Sequence, residues 1–186
     1  WSCIFKIYLN YFLRTINYHV IGVMSGTSLD GIDLAEINFS LLNDSTWDYE
    51  IINTETFSYP KNWKVSLQNA VRYSEAEVSI LNIKYTQFLA SIISRFIDKY
   101  EIKKINAVCS HGHTIWHQPK KGTTLQIGNL PELSHLLKQN VVCDFRLQDV
   151  KLGGNGAPLV PIGDRLLFND YDYCLNLGGF ANISYE

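Results

Sequence analysis

The stretch HVIGVMSGTSLDGIDLAEI, residues 19–37, decides how the rest of the chain is read. It opens with a short apolar run, breaks into a turn built from Ser25, Gly26, Thr27, Ser28 and Gly31, and resumes with Ile32, Leu34 and Ile37. Apolar runs on either side of a small-residue break predict strand, turn, strand. From Ser25 to Gly31 the turn carries two glycines, three hydroxyls and one carboxylate. Glycine lets backbone N–H groups converge on an anion without a Cβ between them, and hydroxyls donate further hydrogen bonds, so the composition suits a cradle for a phosphate chain. Asp30 would repel a bare phosphate and would sit instead across a divalent cation, holding Mg²⁺ directly or through water. The same composition describes an ordinary hairpin tip. The spacing fits neither GxxxxGK[ST] nor GxGxxG, and a strand rather than a helix follows, so neither nucleotide fingerprint applies.

A chain of 186 residues has room for one domain, or slightly more, and for a sizeable core. A hydrophobic content of 46% with 18% charged residues is that of a globular protein, and a net charge of −2 gives no electrostatic ground for a nucleic-acid or anionic-membrane partner. Cys3, Cys109, Cys143 and Cys174 lie far apart with no CxxC pair, which reads as buried, reduced thiols in a cytoplasmic protein. Residues 1–18 lack an initiating Met, and Lys6, Asn10 and Arg14 interrupt their apolar stretch. They are too polar for a spanning helix and show no signal-peptide cleavage site, so they read as an extension to a domain over 19–186.

Along the chain, Trp47 to Tyr59 is rich in β-branched and aromatic residues and predicts a third antiparallel strand. Pro60 ends it, and a short helix is expected from Asn62 to Tyr73. Leu81, Tyr85, Phe88, Leu89, Ile92 and Phe96 recur at spacings of three and four and predict the apolar face of a longer helix. Ile105 to Ser110 reads as a buried strand delivering His111 to a loop that runs to Thr123. Thr124 to Ile127 predicts a strand, Pro131 to Lys138 a helix, and Val141 to Phe145 another buried strand. Glycines and prolines make Leu152 to Pro161 a loop, a helix starts near Ile162, and Tyr173 to Leu177 and Phe180 to Tyr185 pair about Gly178 and Gly179. A three-stranded antiparallel meander followed by alternating helix and strand is a mixed α/β sheet.

Two polar clusters stand out. His111, Gly112, His113, Thr114, Trp116 and His117 follow the buried strand. Three imidazoles in seven residues could hold a metal, but the H-x-H-x₃-H spacing has no adjacent carboxylate or thiolate, so a ligand-binding loop at a strand end is favoured. There His111 and Thr114 would hydrogen-bond a polyhydroxylated ligand, and Trp116 would either stack on a sugar face or tuck into the core. Asp144 and Arg146 lie at another strand end, ahead of Asp149 and the glycine loop. Arg146 offers a fork for carboxylate or phosphate, and Asp144 a base or a metal-water ligand; an Asp–Arg pair that pins the loop accounts for the same residues. No GxSxG elbow supports a serine hydrolase, and a hydrolase built on His111 and Asp144 is the weakest alternative.

Five segments, IGVMSGTSLDGID (21–33), SHGHTIWHQP (110–119), LQIGN (125–129), DFRLQDVKLGGNGAPLVP (144–161) and LNLGGFANIS (175–184), together resemble the N-terminal half of the anhydro-N-acetylmuramic acid kinases. The resemblance runs from about residue 20 to the end of the sequence. It implies a ribonuclease-H-like, actin-like ATPase lobe, ATP and Mg²⁺ as cofactors, and a cytoplasmic enzyme of peptidoglycan recycling. Such enzymes open the anhydro bridge of 1,6-anhydro-N-acetylmuramic acid with water and phosphorylate O6, yielding N-acetylmuramate 6-phosphate. Carried over by motif, Gly26, Thr27, Ser28, Leu29, Asp30, Gly31, Ile32 and Asp33 form the nucleotide-phosphate loop, with Asp30 toward Mg²⁺. His111, Gly112, Thr114, Asp144, Arg146, Gly153, Gly154 and Gly156 line the sugar pocket. The family's catalytic base, an Asp in Asp-x-Gly-Pro-Gly-Asn, has no counterpart up to Glu186, so the sequence reads as a truncated, inactive lobe of a family whose members are often homodimers. The alternative is a non-catalytic sugar- or phosphate-binding lobe that needs a partner chain. Two positions depart from the family pattern: His113 replaces its usual Gln, which questions a sugar contact there, and Asn155 replaces another Gln.

Overall fold

The computed structural model describes residues 15–42, 46–177 and 181–185. Strands β1 (Ile16–Ser25), β2 (Gly31–Leu42) and β3 (Thr46–Ser58) form the expected antiparallel meander. β1 reaches back to Ile16, so residues 16–18 belong to the sheet and pair with Phe39–Leu41. Alternation puts Ile21, Val23 and Ser25 of β1 and Ile32, Leu34 and Glu36 of β2 on one buried face. Gly31 has a packing reason to be glycine: a Cβ there would stand 2.6 Å from Thr56 Cγ2 and 2.9 Å from the Phe57 carbonyl oxygen of β3.

Pro60 ends the meander, and α1 (Lys61–Asn69) follows, closed by a 3₁₀ turn over Ala70–Arg72. Helix α2 (Glu75–Lys99) starts at a capping box. The Ser74 hydroxyl accepts from the Glu77 amide at 3.4 Å while the Glu77 carboxylate accepts from the Ser74 amide at 2.8 Å, satisfying two donors that a helix start leaves orphaned. Its face of Val78, Leu81, Tyr85, Leu89, Ile92, Ile93 and Phe96 is buried in the core formed with β1 and β2.

Strand β4 (Ala107–Gln118) pairs parallel to β1 and carries the histidine cluster. The loop expected after Ser110 is therefore strand. Its backbone groups are taken up by β5 (Thr123–Ile127) across a tight turn at Pro119–Gly122, with His113 opposite Ile127 and Gln118 opposite Thr123. Helix α3 (Glu132–Leu137) precedes β6 (Val141–Val142), which pairs parallel to β4. β6 is shorter and more exposed than the strand expected to Phe145, because Asp144 turns into the left-handed region at φ 58° and its carbonyl accepts from the Leu147 amide at 3.0 Å. That turn starts α4 (Leu147–Lys151), a helix the sequence reading lacks. Helix α5 (Val160–Leu167) takes Pro161 into its first turn, so the glycine loop shortens to residues 152–159. Strands β7 (Tyr173–Leu177) and β8 (Ala181–Tyr185) pair antiparallel; Gly178 and Gly179, expected at the turn, lie outside the described residues.

The main sheet runs β3-β2-β1-β4-β5, with β6 also on β4. No helix among the described residues is long and apolar enough to cross a membrane. Cys109, Cys143 and Cys174 are free, half-buried thiols, and Cys3 lies outside the described residues.

Replacing Leu89, fully buried on α2, with alanine removes packing against the sheet and is expected to cost about 3 kcal/mol. Ile80→Ala, on the exposed face of the same helix, is expected to cost under about 1 kcal/mol. Urea melts of the two variants check the difference.

Candidate functional site

The turn between β1 and β2 is small and internally braced. The Leu29 amide donates to the Gly26 carbonyl at 3.4 Å, and Leu29 adopts φ 61°, a left-handed conformation that costs a branched side chain roughly 1 kcal/mol or more. Asp30 Oδ1 holds that shape, accepting from Ser28 Oγ at 2.7 Å and from the Gly31 amide at 3.0 Å. Those bonds hold the Asp30 carboxyl below its usual range, with a smaller contribution from Lys64 on α1, so it is anionic at neutral pH. Gly26, Thr27, Ser28, Leu29 and Asp30 form the accessible rim, while Gly31 and Ile32 are buried beneath it. Asp33 lies on the sheet's other face and accepts from Thr56 Oγ1 at 2.6 Å.

A second cluster is built on Asn129, just after β5. Its Oδ1 accepts from Ser110 Oγ at 3.1 Å, and its Nδ2 donates to the His111 carbonyl at 3.3 Å and to Asp144 Oδ1 at 3.2 Å. Arg146 donates from Nε to His111 Nε2 at 3.0 Å and from Nη1 to the Gly156 carbonyl at 2.7 Å. With Nε2 accepting, His111 Nδ1 carries the proton and donates to the Gly112 carbonyl at 2.8 Å. Burial, reinforced by the Arg146 charge, pushes the His111 pKa down against that carbonyl, so the ring is neutral at pH 7. Asp149 Oδ2 accepts from the Gly156 amide at 2.6 Å, and its carboxylate occupies the space a Cβ on Gly154 would need. Asp149 thereby pins the glycine loop, while Gly153, at φ 88°, faces open space.

The expected ligand contacts thus divide. His111, Asp144 and Arg146 come together, with Gly156 bonded to Arg146 and Gly154 packed on Asp149. Thr114 is partly occupied, accepting from Gln126 Nε2 at 3.4 Å, and Trp116 packs against the hydrophobic core. His113 is buried, with its pKa pushed down to about 4 by burial and, secondarily, by His111. It carries no charge at neutral pH. His117 is exposed and bonds to Thr124 Oγ1 at 3.1 Å. Among the described residues no group of three His, Cys, Asp or Glu side chains converges as a metal site. Asn129 enters the sequence reading only as the last residue of the LQIGN segment, with no role given to it; the signal for one was its place right after a glycine at a strand end.

Parallel pairing brings these parts to one edge. β1 ends at Ser25, which stands opposite His113 in β4, and β6 on β4's other side leads into Asp144. The arrangement places a braced anionic turn and an Arg–His–Asp cluster outside the carboxyl ends of parallel strands, where open α/β sheets hold ligands.

The model of the anhydro-N-acetylmuramic acid kinase family matches residues 18–185, and the chain belongs to that family of carbohydrate kinases. It is 38% identical over 176 residues to the anhydro-N-acetylmuramic acid kinase of Prochlorococcus marinus, covering 89% of this chain and 45% of that one. To the kinase of the same name from Sulfurimonas denitrificans it is 36% identical over 173 residues, covering 88% and 46%. To that of Francisella tularensis subsp. novicida it is 35% identical over 181 residues, covering 89% and 47%. The chain therefore spans a little under half the length of these relatives.

Two outcomes test the geometry. His113 is neutral when folded down to about pH 4 but protonates near 6.5 when unfolded, so the unfolded state binds more protons between those values. Stability is full above about pH 6.5 and is expected to fall by on the order of 3 kcal/mol toward pH 4, with His111 acting in the same direction; denaturant melts across that range check it. Gly154→Ala is expected to displace Asp149 and speed proteolysis within residues 152–159, whereas Gly163→Ala, in open space on α5, is expected to leave the cleavage rate unchanged.

Proposed function

We propose that this chain supplies the phosphate-gripping and sugar-facing part of an ATP-dependent kinase that opens 1,6-anhydro-N-acetylmuramic acid and phosphorylates its O6. The observation that carries the reading is the convergence of the 26–30 turn, His111 and the 144–156 segment at one end of the parallel strands β1, β4 and β6. The strand order β3-β2-β1-β4-β6, with β2 alone running against the others, supports a ribonuclease-H-like, actin-like ATPase lobe.

In this reading the turn faces the ATP phosphates. Backbone N–H groups of residues 27, 28 and 30 and the hydroxyl of Thr27 are donors for phosphate oxygens, since the Leu29 amide is already given to Gly26 and the Ser28 hydroxyl to Asp30. A single exposed, ionised carboxylate fits Mg²⁺, which keeps most of its water and takes phosphate oxygens as its other ligands. When bound, that ion offsets the charge of the transferring phosphoryl group. Arg146 uses two of its five N–H groups internally and directs the rest at the substrate, where the carboxylate of a muramic acid suits its fork. Asp144 gives one oxygen to Asn129 and keeps the other for a sugar hydroxyl.

The reaction adds water to the anomeric carbon, the water's second proton passing to a carboxylate base, breaks the anomeric carbon's bond to O6, and passes the O6 electron pair to the γ-phosphorus with release of ADP. His111, neutral with its Nδ1 proton committed, orients Arg146 and is not the base. The protein would act in the cytoplasm on a product of peptidoglycan turnover, with a second copy of itself as partner.

The test is ADP release by the full-length polypeptide that carries these residues, given ATP, Mg²⁺ and the anhydro sugar. Turnover is expected only with all three present, and none with this sugar would overturn the reading. Asp30→Asn is expected to lower kcat by about a hundredfold or more with the melting temperature unchanged. Undiminished turnover would remove Asp30 from the nucleotide site.

A further inference from the structure

Beneath the turn lies a group of polar side chains that the proposed chemistry does not use. Ser25, Tyr59, Tyr85 and His113 are all buried, with exposures between 0% and 4%. The Tyr59 and Tyr85 hydroxyls meet at 2.5 Å, and the Tyr85 ring lies 6.1 Å from that of His113, centroid to centroid. Ser25 is the last residue of β1 and stands opposite His113 in the β1–β4 ladder. Among the described residues, Ser25 Oγ and His113 Nδ1 have no hydrogen-bond partner.

The donors and acceptors nonetheless complement one another. Two tyrosine hydroxyls carry two protons; one is spent between them and the other is free to be given onward. Ser25 is near enough to both that its hydroxyl draws their pKa values back against the rise that burial causes. A serine hydroxyl can accept from a tyrosine and donate onward, and a neutral imidazole nitrogen can accept. An apolar core has no packing need for three hydroxyls and an imidazole, whereas a turn strained at Leu29 needs a fixed base one residue before it starts. Tyr85 also touches the second cluster. A Cβ on Gly128 would stand 2.8 Å from its ring, so the tyrosine supports the backbone just before Asn129.

We propose that Tyr59, Tyr85 and His113 are positioning residues that act through Ser25 to fix the conformation of the 26–30 turn. The tyrosine hydroxyl pair, with Ser25 beside it and the His113 imidazole against the Ser25 backbone, sets the end of β1, and with it the direction of the turn's N–H groups. The consequence for nucleotide affinity rests on the phosphate-loop reading above; the control of turn conformation does not.

The test is amide NMR of the full-length polypeptide that carries these residues, comparing wild type with Tyr85→Phe, Ser25→Ala, His113→Leu and His113→Gln. Tyr85→Phe and Ser25→Ala change little volume, so packing alone predicts unmoved signals for residues 26–31. Positioning predicts that both variants, and His113→Leu, shift those amides, while His113→Gln, a neutral side chain able to donate and accept, restores them. Titration with Mg·ATP is then expected to show about tenfold weaker binding for Tyr85→Phe than for wild type. Unshifted turn amides in folded Tyr85→Phe and Ser25→Ala would overturn the proposal. A wild-type turn that does not respond to Mg·ATP would instead overturn the phosphate-loop reading, leaving the nucleotide-free spectra to decide positioning. Should His113→Leu fail to fold, the tyrosine and serine variants decide the matter alone.

Discussion

Parallel pairing of β1 with β4, which sets Ser25 against His113, is the contact on which both polar clusters depend. The two strands lie more than eighty residues apart in sequence, and the intervening chain returns through β2, β3, α1 and α2. Closing so long a segment costs entropy that grows only slowly with its length, and burial of the α2 face supplies the compensating free energy. The same helix face buries Leu89 and Ile93 in the core and sends Tyr85 up beneath the turn. Core packing and site geometry are therefore not separable here, because one helix serves both.

The sheet treats buried polarity differently at its two ends. Away from the turn, Glu36 is buried, yet its carboxylate accepts from Asn53 Nδ2 at 2.6 Å and meets His19 Nε2 at 2.7 Å, so it is fully partnered. Beneath the turn, Ser25 and His113 keep unpartnered polar atoms at comparable depth. A buried unpaired donor or acceptor costs about 1–3 kcal/mol, a cost that accumulates where structure serves ligand binding rather than stability alone. His113 is compatible with this environment, because burial holds the imidazole neutral and it offers hydrogen-bonding groups without charge.

What the sequence revealed followed from how local each signal was. The β1–β2 hairpin, α2 and β3 are written in contiguous alternation or three-and-four spacing; β3 lies within one residue of its expected ends, while β1 and α2 start earlier and β2 and α2 run further than the residues that announced them. The extension of β4 through His113 and Trp116 depends on a partner strand ten residues on, and the glycine and clustered histidines in it favour a loop when read alone. Asp144 ends β6 through a left-handed backbone that nothing in the run Val141–Phe145 announces. Asn129 is a single polar residue whose importance comes from three partners on two other segments, which no local window contains. His111, Asp144 and Arg146 stood out as polar residues near expected strand ends, and the structure brings them together, with His111 inside β4 rather than at its end.

The glycines sharpen what the turn can do. Composition suggested glycine as clearance for an anion, but at Gly31 the clearance is filled by β3, and at Gly154 by the Asp149 carboxylate. Both are glycines because protein approaches them. Of the residues from Ser25 to Asp33, Ser25, Gly31 and Ile32 are buried and Asp33 faces the sheet's other side, paired with Thr56. An anion held by this turn would therefore meet the backbone of residues 26–30, with Thr27 the one hydroxyl of the turn that is both exposed and uncommitted among the described contacts. A ligand surface this narrow gains specificity only if its donors point in one direction. Asp30 bracing from within and the hydroxyl–imidazole group from below are the two supports the structure offers for that.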